Sequence, residues 1–119
     1  MKTFKKGDVL RGDKRKFKES YHPIVYISGS IEAPLAVVLT HAETKKFPCN
    51  LKLSGIYDDE SQYFVGHLLQ KMAEWGPYKK EGELSKEDLK LVEDTIRGMG
   101  SMTWDEYLRY TSSGCPIHK

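Results

Sequence analysis

The run of residues 35–40, Leu-Ala-Val-Val-Leu-Thr, constrains the fold most, because every residue in it is apolar or β-branched. Neighbouring side chains of a strand point to opposite faces of its sheet. An uninterrupted apolar run of this length is therefore typical of a strand that is buried on both faces. We predict a core strand here.

Three other segments have the character of strands. Residues 7–12 lie between glycines, and residues 23–29 open with proline and are rich in β-branched and aromatic side chains. Residues 50–55 alternate polar and apolar side chains, which predicts a strand with one wet face. We expect this strand to pair with the 35–40 strand that precedes it. Residues 64–75 are compatible with either a strand or a short helix.

A helix is predicted over residues 86–97. Ser85 and Asp88 have the spacing of a capping box, in which the serine hydroxyl accepts from the Asp88 backbone N–H and the Asp88 side chain returns the bond. Apolar residues then recur at helical spacing, and Gly98 is a suitable stop. The recurring residues are Leu89, Val92 and Ile96.

A second, shorter helix is predicted over residues 103–111. Thr103 and Glu106 repeat the spacing of the capping box, and Trp104 and Leu108 would then share one face of the helix. Together these elements predict a mainly β protein with some α structure, which is an α+β fold class.

The size and composition of the chain suit one globular domain. With 119 residues, 39% of them hydrophobic and 30% charged, the chain suffices for one core. No stretch approaches the roughly 20 apolar residues of a membrane span, and no apolar region of a signal peptide follows the charged amino terminus. Cys49 and Cys115 have no disulfide-framework spacing, so we expect reduced thiols and a cytoplasmic protein.

Positive charge is concentrated at the amino terminus. Residues 1–18 carry eight Lys or Arg against two Asp, a net charge of +6, whereas the whole chain carries +2. Such clustering is typical of a phosphate-binding face, although a solvated lysine-rich surface is the commoner cause.

Short motifs follow one another in a definite order. Gly7-Asp8 opens the first strand, His22-Pro23 leads into the second after a charged loop, and Thr40 ends the core strand. The order continues with Lys45-Lys46-Phe47-Pro48, then Leu53-Ser54-Gly55, then Gly82-Glu83-Leu84-Ser85 before the helix. Taken together, residues 7–97 resemble the MazF/PemK family of toxin ribonucleases.

The resemblance implies a fold and an activity. The fold would be an SH3-like small β-barrel over about residues 5–84, followed by the 86–97 helix and an extra helical segment over about 103–111, all in one domain of residues 1–119. By this analogy residues 68–75 form a strand. The implied function is that of a toxin in a toxin-antitoxin system, a homodimer that cleaves single-stranded RNA without a metal or cofactor and binds a cognate antitoxin.

The same resemblance assigns a site. The residue before the proline is usually arginine in the family and lies near the hydroxyl residue that ends the next strand, and the corresponding residues here are His22 and Thr40. Histidine can give or take a proton near neutral pH, whereas arginine cannot be deprotonated. His22 is therefore a candidate general acid or base. The candidate RNA-binding residues are Lys14, Arg15, Lys16, Lys18, Tyr21, Lys45, Lys46 and Lys71.

Other function classes have less support. The histidines and cysteines show no metal-ligand spacing, and neither a Gly-rich phosphate loop nor a serine nucleophile elbow is present. Two alternatives remain open. The departure to His22 is also compatible with a non-catalytic SH3-like module that binds nucleic acid or a protein, and the helix that contains Trp104 could serve a structural protein as a docking surface.

Overall fold

The computed structural model describes residues 4–12, 23–30, 32–40, 50–55, 63–72 and 78–112, with the backbone alone at residue 108 and residues 110–112. The strands are β1 (Asp8–Gly12), β2 (Ile24–Ser30), β3 (Ala33–Thr40), β4 (Leu51–Lys52), β5 (Tyr63–Phe64), β6 (Leu68–Gln70), β7 (Tyr78–Glu83) and β8 (Ser101–Thr103). The helices are α1 (Lys86–Ile96) and α2 (Trp104–Ser112).

The strands form a mostly antiparallel sheet. Their order is β4-β5-β3-β2-β1-β7, and β6 branches from β3 and pairs in parallel with β8. The prediction of a mainly β protein with some α structure is confirmed. Within the described ranges β4 and β7 stand at the two ends of this path and do not close it into a ring.

Strand β3 is buried on both faces, as its continuous apolar run predicts. Val37 and Leu39 belong to a first core cluster, whereas Ala36 and Val38 belong to a second cluster on the opposite face of the sheet. Each of these side chains is completely buried. The alternation follows directly from the two-residue period of a strand.

Each face of the sheet is covered by one helix. Val92 and Ile96 of α1 join the first cluster, and Tyr107 of α2 joins the second, with Trp104 packed against it. The two helices therefore lie on opposite sides of β3, which explains why that strand needs no polar face.

Both predicted helix starts are confirmed. The Ser85 hydroxyl accepts a hydrogen bond of 3.1 Å from the Asp88 backbone N–H at the start of α1. At the start of α2 the capping is reciprocal, because the Thr103 N–H donates to the Glu106 carboxylate at 2.8 Å and the Glu106 N–H donates to the Thr103 hydroxyl at 3.1 Å. These bonds satisfy backbone donors that have no partner inside the helix.

The pairing predicted for residues 50–55 is wrong. Strand β4 pairs with β5, through Leu51 opposite Phe64 and Lys52 opposite Tyr63, and β5 lies between β4 and β3. The adjacent segment in sequence is thus not the adjacent strand in the sheet.

Residues 64–75, whose sequence is compatible with either a strand or a short helix, contain the end of β5 and all of β6. The longer strand over residues 68–75 is a wrong prediction, because β6 ends at Gln70. The next residue, Lys71, has φ of 64°, a left-handed backbone conformation that a strand does not accommodate. Residues 73–77 lie outside the described part of the chain.

The pairing of the end of β2 with β3 requires a glycine. Gly29 has φ of 92°, and a Cβ at this position would lie 2.5 Å from the Ala33 carbonyl oxygen. The Tyr26 hydroxyl donates to the Gly29 carbonyl within the same strand. Only glycine fits here, because a side chain would meet both a backbone clash and an unfavourable φ.

Candidate nucleic-acid interface

One end of the sheet brings together residues at or beside the ends of five strands. Each neighbouring pair in the series β1, β2, β3, β5 and β4 is antiparallel, so the end of one strand lies beside the start of the next. The residues that lie at this end, which we call the Thr40 end, are Gly12, Pro23, Thr40, Tyr63 and Lys52.

Thr40 lies at the last position of β3, where its side chain is 6% exposed. It is two residues beyond Val38, so its side chain points to the face of the second core cluster. Its neighbour Leu39 donates its backbone N–H to the Pro23 carbonyl at 2.9 Å, which carries the pairing of β2 and β3 to this end of the sheet.

Most of the candidate residues lie outside the described part of the chain. These are His22, Tyr21, Lys14, Arg15, Lys16, Lys18, Lys45 and Lys46. Their anchors are nevertheless described. In the sequence, the basic segment of residues 13–22 connects Gly12, the last residue of β1, to Pro23, the residue before β2, and residues 41–49 follow Thr40 directly. Both segments are therefore attached at the Thr40 end.

Lys71 is not brought to this end. Leu69 of β6 lies opposite Ala36, which precedes Thr40 by four residues, or about 13 Å along a strand. Because β6 runs antiparallel to β3, Lys71 lies still farther from Thr40.

Lys71 lies near the start of α2 instead. The Thr103 backbone N–H, followed by the Thr103 hydroxyl, lowers the pKa of Glu106 below its ordinary value, and the charges of Arg109 and Lys71 add to this effect. Gln70, the residue before Lys71, lies opposite Thr103, so Lys71 lies near the start of α2.

Two residues of the Thr40 end are missing from the sequence-based site. Tyr63 lies directly opposite Thr40, and Lys52 lies directly opposite Tyr63 on the far side of β5. The alternation of residues 50–55 does place Lys52 on the wet face of a strand. Its neighbours could not be identified, because the pairing of β4 with β5 and of β5 with β3 is not visible in a local pattern.

The Gly7-Asp8 motif has a structural explanation. Gly7 has φ of 98°, and the Asp8 carboxylate, which is almost completely buried, accepts from the Lys5 N–H at 2.9 Å and lies 3.2 Å from Lys80 Nζ. The Glu83 carboxylate, and after it that of Asp8, raises the pKa of Lys80 above its ordinary value. These contacts hold the start of β1 against β7.

The Leu53-Ser54-Gly55 and Ser85-Lys86-Glu87-Asp88 motifs meet each other. The Asp88 carboxylate accepts hydrogen bonds from the Ser54 N–H at 2.8 Å, the Ser54 hydroxyl at 2.7 Å and the Gly55 N–H at 3.1 Å. Asp88 is only 1% exposed. The two motifs thus form one tertiary contact that fixes the start of α1.

The described ranges contain no group of three His, Cys, Asp or Glu side chains placed to bind a metal ion. In the same ranges, neither helix has the length and apolar character needed to cross a membrane.

No protein-family model matches this sequence, and no curated protein is significantly similar to it.

Proposed function

We propose that this chain is a metal-independent endoribonuclease of the MazF/PemK kind, with the Thr40 end as its RNA-binding and catalytic end. The observation that carries this proposal is the convergence at that end of Thr40 and of both anchors of the basic segment, Gly12 and Pro23. The Thr40 hydroxyl and the concentrated positive charge of the basic segment are therefore both attached at the Thr40 end of the sheet.

The pair of His22 and Thr40 is supported by the β2–β3 register. The Pro23 carbonyl accepts from the Leu39 N–H, so the residues next to His22 and Thr40 in the chain are already paired. We propose that the same pairing continues by one residue, which would set His22 opposite Thr40 on one face of the sheet. A proton-transfer group and a hydroxyl donor would then flank one phosphodiester.

The chemistry follows from these two groups. The ribose 2′-oxygen forms a bond to phosphorus as the bond from phosphorus to the 5′-oxygen breaks, which leaves a 2′,3′-cyclic phosphate and a 5′-hydroxyl. His22 takes the 2′-hydroxyl proton or supplies the proton to the leaving 5′-oxygen. The Thr40 hydroxyl donates to the phosphorane oxygens, and the basic segment stabilises their negative charge.

The wider biological proposal follows the family. The sheet would be that of an SH3-like small barrel, and the protein a cytoplasmic homodimeric toxin that binds a cognate antitoxin. A small sheet protein has flat strand surfaces suited to isologous contact between two copies. Light scattering at tens of micromolar should give the mass of a dimer, and a monomer mass would contradict this part.

The decisive experiment is incubation of the protein with single-stranded RNA in excess chelator. We expect cleavage to products with a cyclic phosphate, and we expect His22→Ala to lower the rate of this cleavage about 10²- to 10⁴-fold and to prevent growth arrest on induced expression in a bacterium. RNA left intact by the wild-type protein, or cut equally by His22→Ala, would contradict the assignment.

A binding module without catalysis is the second candidate. It is favoured by the roles of Gly7, Asp8, Ser54 and Asp88, which all stabilise the fold, so these motifs support the resemblance in fold more than in activity. Salt-dependent RNA binding by the wild-type protein without any cleavage would establish this candidate.

A further inference from the structure

The Thr40 end contains a row of three polar side chains that crosses three strands. In the antiparallel registers Thr40 is opposite Tyr63, and Tyr63 is opposite Lys52. Directly opposed residues project from the same face of a sheet, with Cβ atoms about 4.5–5.5 Å apart. The hydroxyl, the phenol and the ammonium group therefore line one face, in the order of β3, β5 and β4.

The neighbouring row confirms this assignment of faces. Leu39, Phe64 and Leu51 are opposed in the same way one residue further along the strands. Leu39 and Phe64 belong to the first core cluster under α1. The row of Thr40, Tyr63 and Lys52 must then point to the other side of the sheet, since successive side chains alternate.

Exposure increases along the row toward the edge of the sheet. Thr40 is buried, Tyr63 is half-buried and Lys52 is exposed on β4, the last strand on this side of the described sheet. Strands lie about 4.8 Å apart, so Lys52 stands about 10 Å from Thr40. A nucleic-acid strand bound across this face would contact the buried Thr40 hydroxyl at one phosphate group and the exposed Lys52 ammonium group one or two phosphate groups away.

We propose that Lys52 and Tyr63 bind the RNA backbone beside the scissile phosphate, with the Lys52 ammonium group and the Tyr63 hydroxyl donating to phosphate oxygens. Lysine, tyrosine and threonine side chains are all common donors to nucleic-acid phosphates. This role rests on the proposed function, because it extends the site of Thr40. Lys52 and Tyr63 position the substrate and take no part in proton transfer.

The test measures binding apart from cleavage. The probe is a random-sequence single-stranded RNA with 2′-O-methyl riboses, which lack the attacking hydroxyl. The slope of log affinity against log salt concentration is negative, and Lys52→Gln should make it less steep by about 0.7, the value for one neutralised phosphate in a single strand. Lys52→Arg should restore the slope, and Tyr63→Phe should weaken binding at least about tenfold at fixed salt, as removal of one hydrogen bond to a charged group does.

The matched control is Lys90→Gln. Lys90 is an exposed lysine of α1 whose Nζ lies 3.4 Å from Asp94, and α1 covers the opposite face of the sheet. We expect it to bind the probe with the wild-type slope. Circular dichroism of each variant should be that of the wild type, because Lys52 is exposed and Tyr63→Phe retains the ring.

The outcomes separate this inference from the proposed function. If the wild type cleaves unmodified RNA but Lys52→Gln keeps the wild-type slope, the proposed role of Lys52 is contradicted and the proposed ribonuclease activity is supported. If the wild type does not cleave RNA, and Lys52→Gln shows the less steep slope, the proposed ribonuclease activity is contradicted and the proposed role of Lys52 is supported. A wild type that does not bind the probe overturns the row as well.

Discussion

The Asp88 carboxylate accepts hydrogen bonds from both the backbone N–H and the hydroxyl of Ser54, at 2.8 and 2.7 Å, across 34 residues of sequence. Asp88 is the third residue of α1, and Ser54 follows the short strand β4. The contact connects the helix that covers the first core cluster with the segment that carries Lys52. A buried carboxylate thus links the stability of α1 to the position of the β4 edge.

Removal of this carboxylate should destabilise the protein. Asp88→Ala should lower the free energy of unfolding by about 2–4 kcal/mol, because several hydrogen bonds to a charged group disappear together. Urea denaturation monitored by circular dichroism measures the change. Asp94→Ala is the control, since Asp94 is an exposed residue of the same helix in ion pairs with Arg97 and Lys90, and it should unfold nearly as the wild type does. Equal effects of the two substitutions would contradict the structural role of Asp88.

The proposed catalytic pair of His22 and Thr40 predicts a non-additive result. His22→Ala and Thr40→Val should each lower the rate of RNA cleavage about 10²- to 10⁴-fold, as removal of an acid, base or donor does. The double variant should be little slower than the slower single variant, because the two groups act on one phosphodiester. Single-turnover cleavage in chelator measures all three rates. Multiplicative reductions in the double variant would show that the two residues act independently.

The basic segment predicts a steep dependence of RNA binding on salt. Glutamine should replace Lys14, Arg15, Lys16 and Lys18. The negative slope of log affinity against log salt concentration should then become less steep by about 0.7 for each phosphate that the protein no longer neutralises. Glutamine at the exposed Lys86 and Lys90 of α1 provides the matched control. Retention of the wild-type slope after neutralisation of the segment would remove it from the RNA-binding site.

The capping box of α2 predicts a local decrease in stability. In Thr103→Ala the Glu106 N–H has no side-chain acceptor, so the free energy of unfolding should fall by about 1 kcal/mol. Thr95→Ala is the control, because the Thr95 hydroxyl donates to the Leu91 carbonyl inside α1 and alanine is the better helix former. We expect no decrease in stability there. Thermal unfolding of the two variants side by side tests the difference, and an undiminished Thr103→Ala protein would contradict the cap.

Tyr107 predicts a decrease in stability at alkaline pH. Burial raises the pKa of its phenol above the ordinary value, and its ring packs against Trp104 and His67 at centroid distances of 5.2 and 5.5 Å. The folded state therefore retains this proton more strongly than the unfolded chain. Its contribution to stability is constant below about pH 10 and falls as the pH rises from there through the folded-state pKa. The fall should be smaller in Tyr107→Phe when free energies of unfolding are compared at pH 8 and above pH 10, and identical profiles would contradict the assignment.

The sequence by itself determined the features that depend on neighbours within a few residues. The continuous apolar run predicted that β3 is buried on both faces, and the capping residues Ser85 and Thr103 predicted where both helices begin. These predictions succeed because a strand alternates every second residue and a cap is made within one helical turn. The free energy concerned is local, so the local pattern contains it.

Strand pairing was decided only by the tertiary structure. Strand β4 was expected beside β3 but pairs with β5, and β7, with the polar sequence YKKEGE, was not predicted at all. The partner of a strand depends on hydrogen bonds and packing between segments far apart in the chain. No window of sequence includes both sides of such a contact.

The candidate site shows the same division. The resemblance assigned Thr40 as the hydroxyl residue at a strand end, but only strand pairing brings Tyr63 and Lys52 beside it and leaves Lys71 away from the Thr40 end. The sequence supplied residue types and the ends of elements. Which of those ends lie together is decided by the antiparallel order of five strands, because each pairing buries apolar side chains on two faces at once and thereby selects a single register.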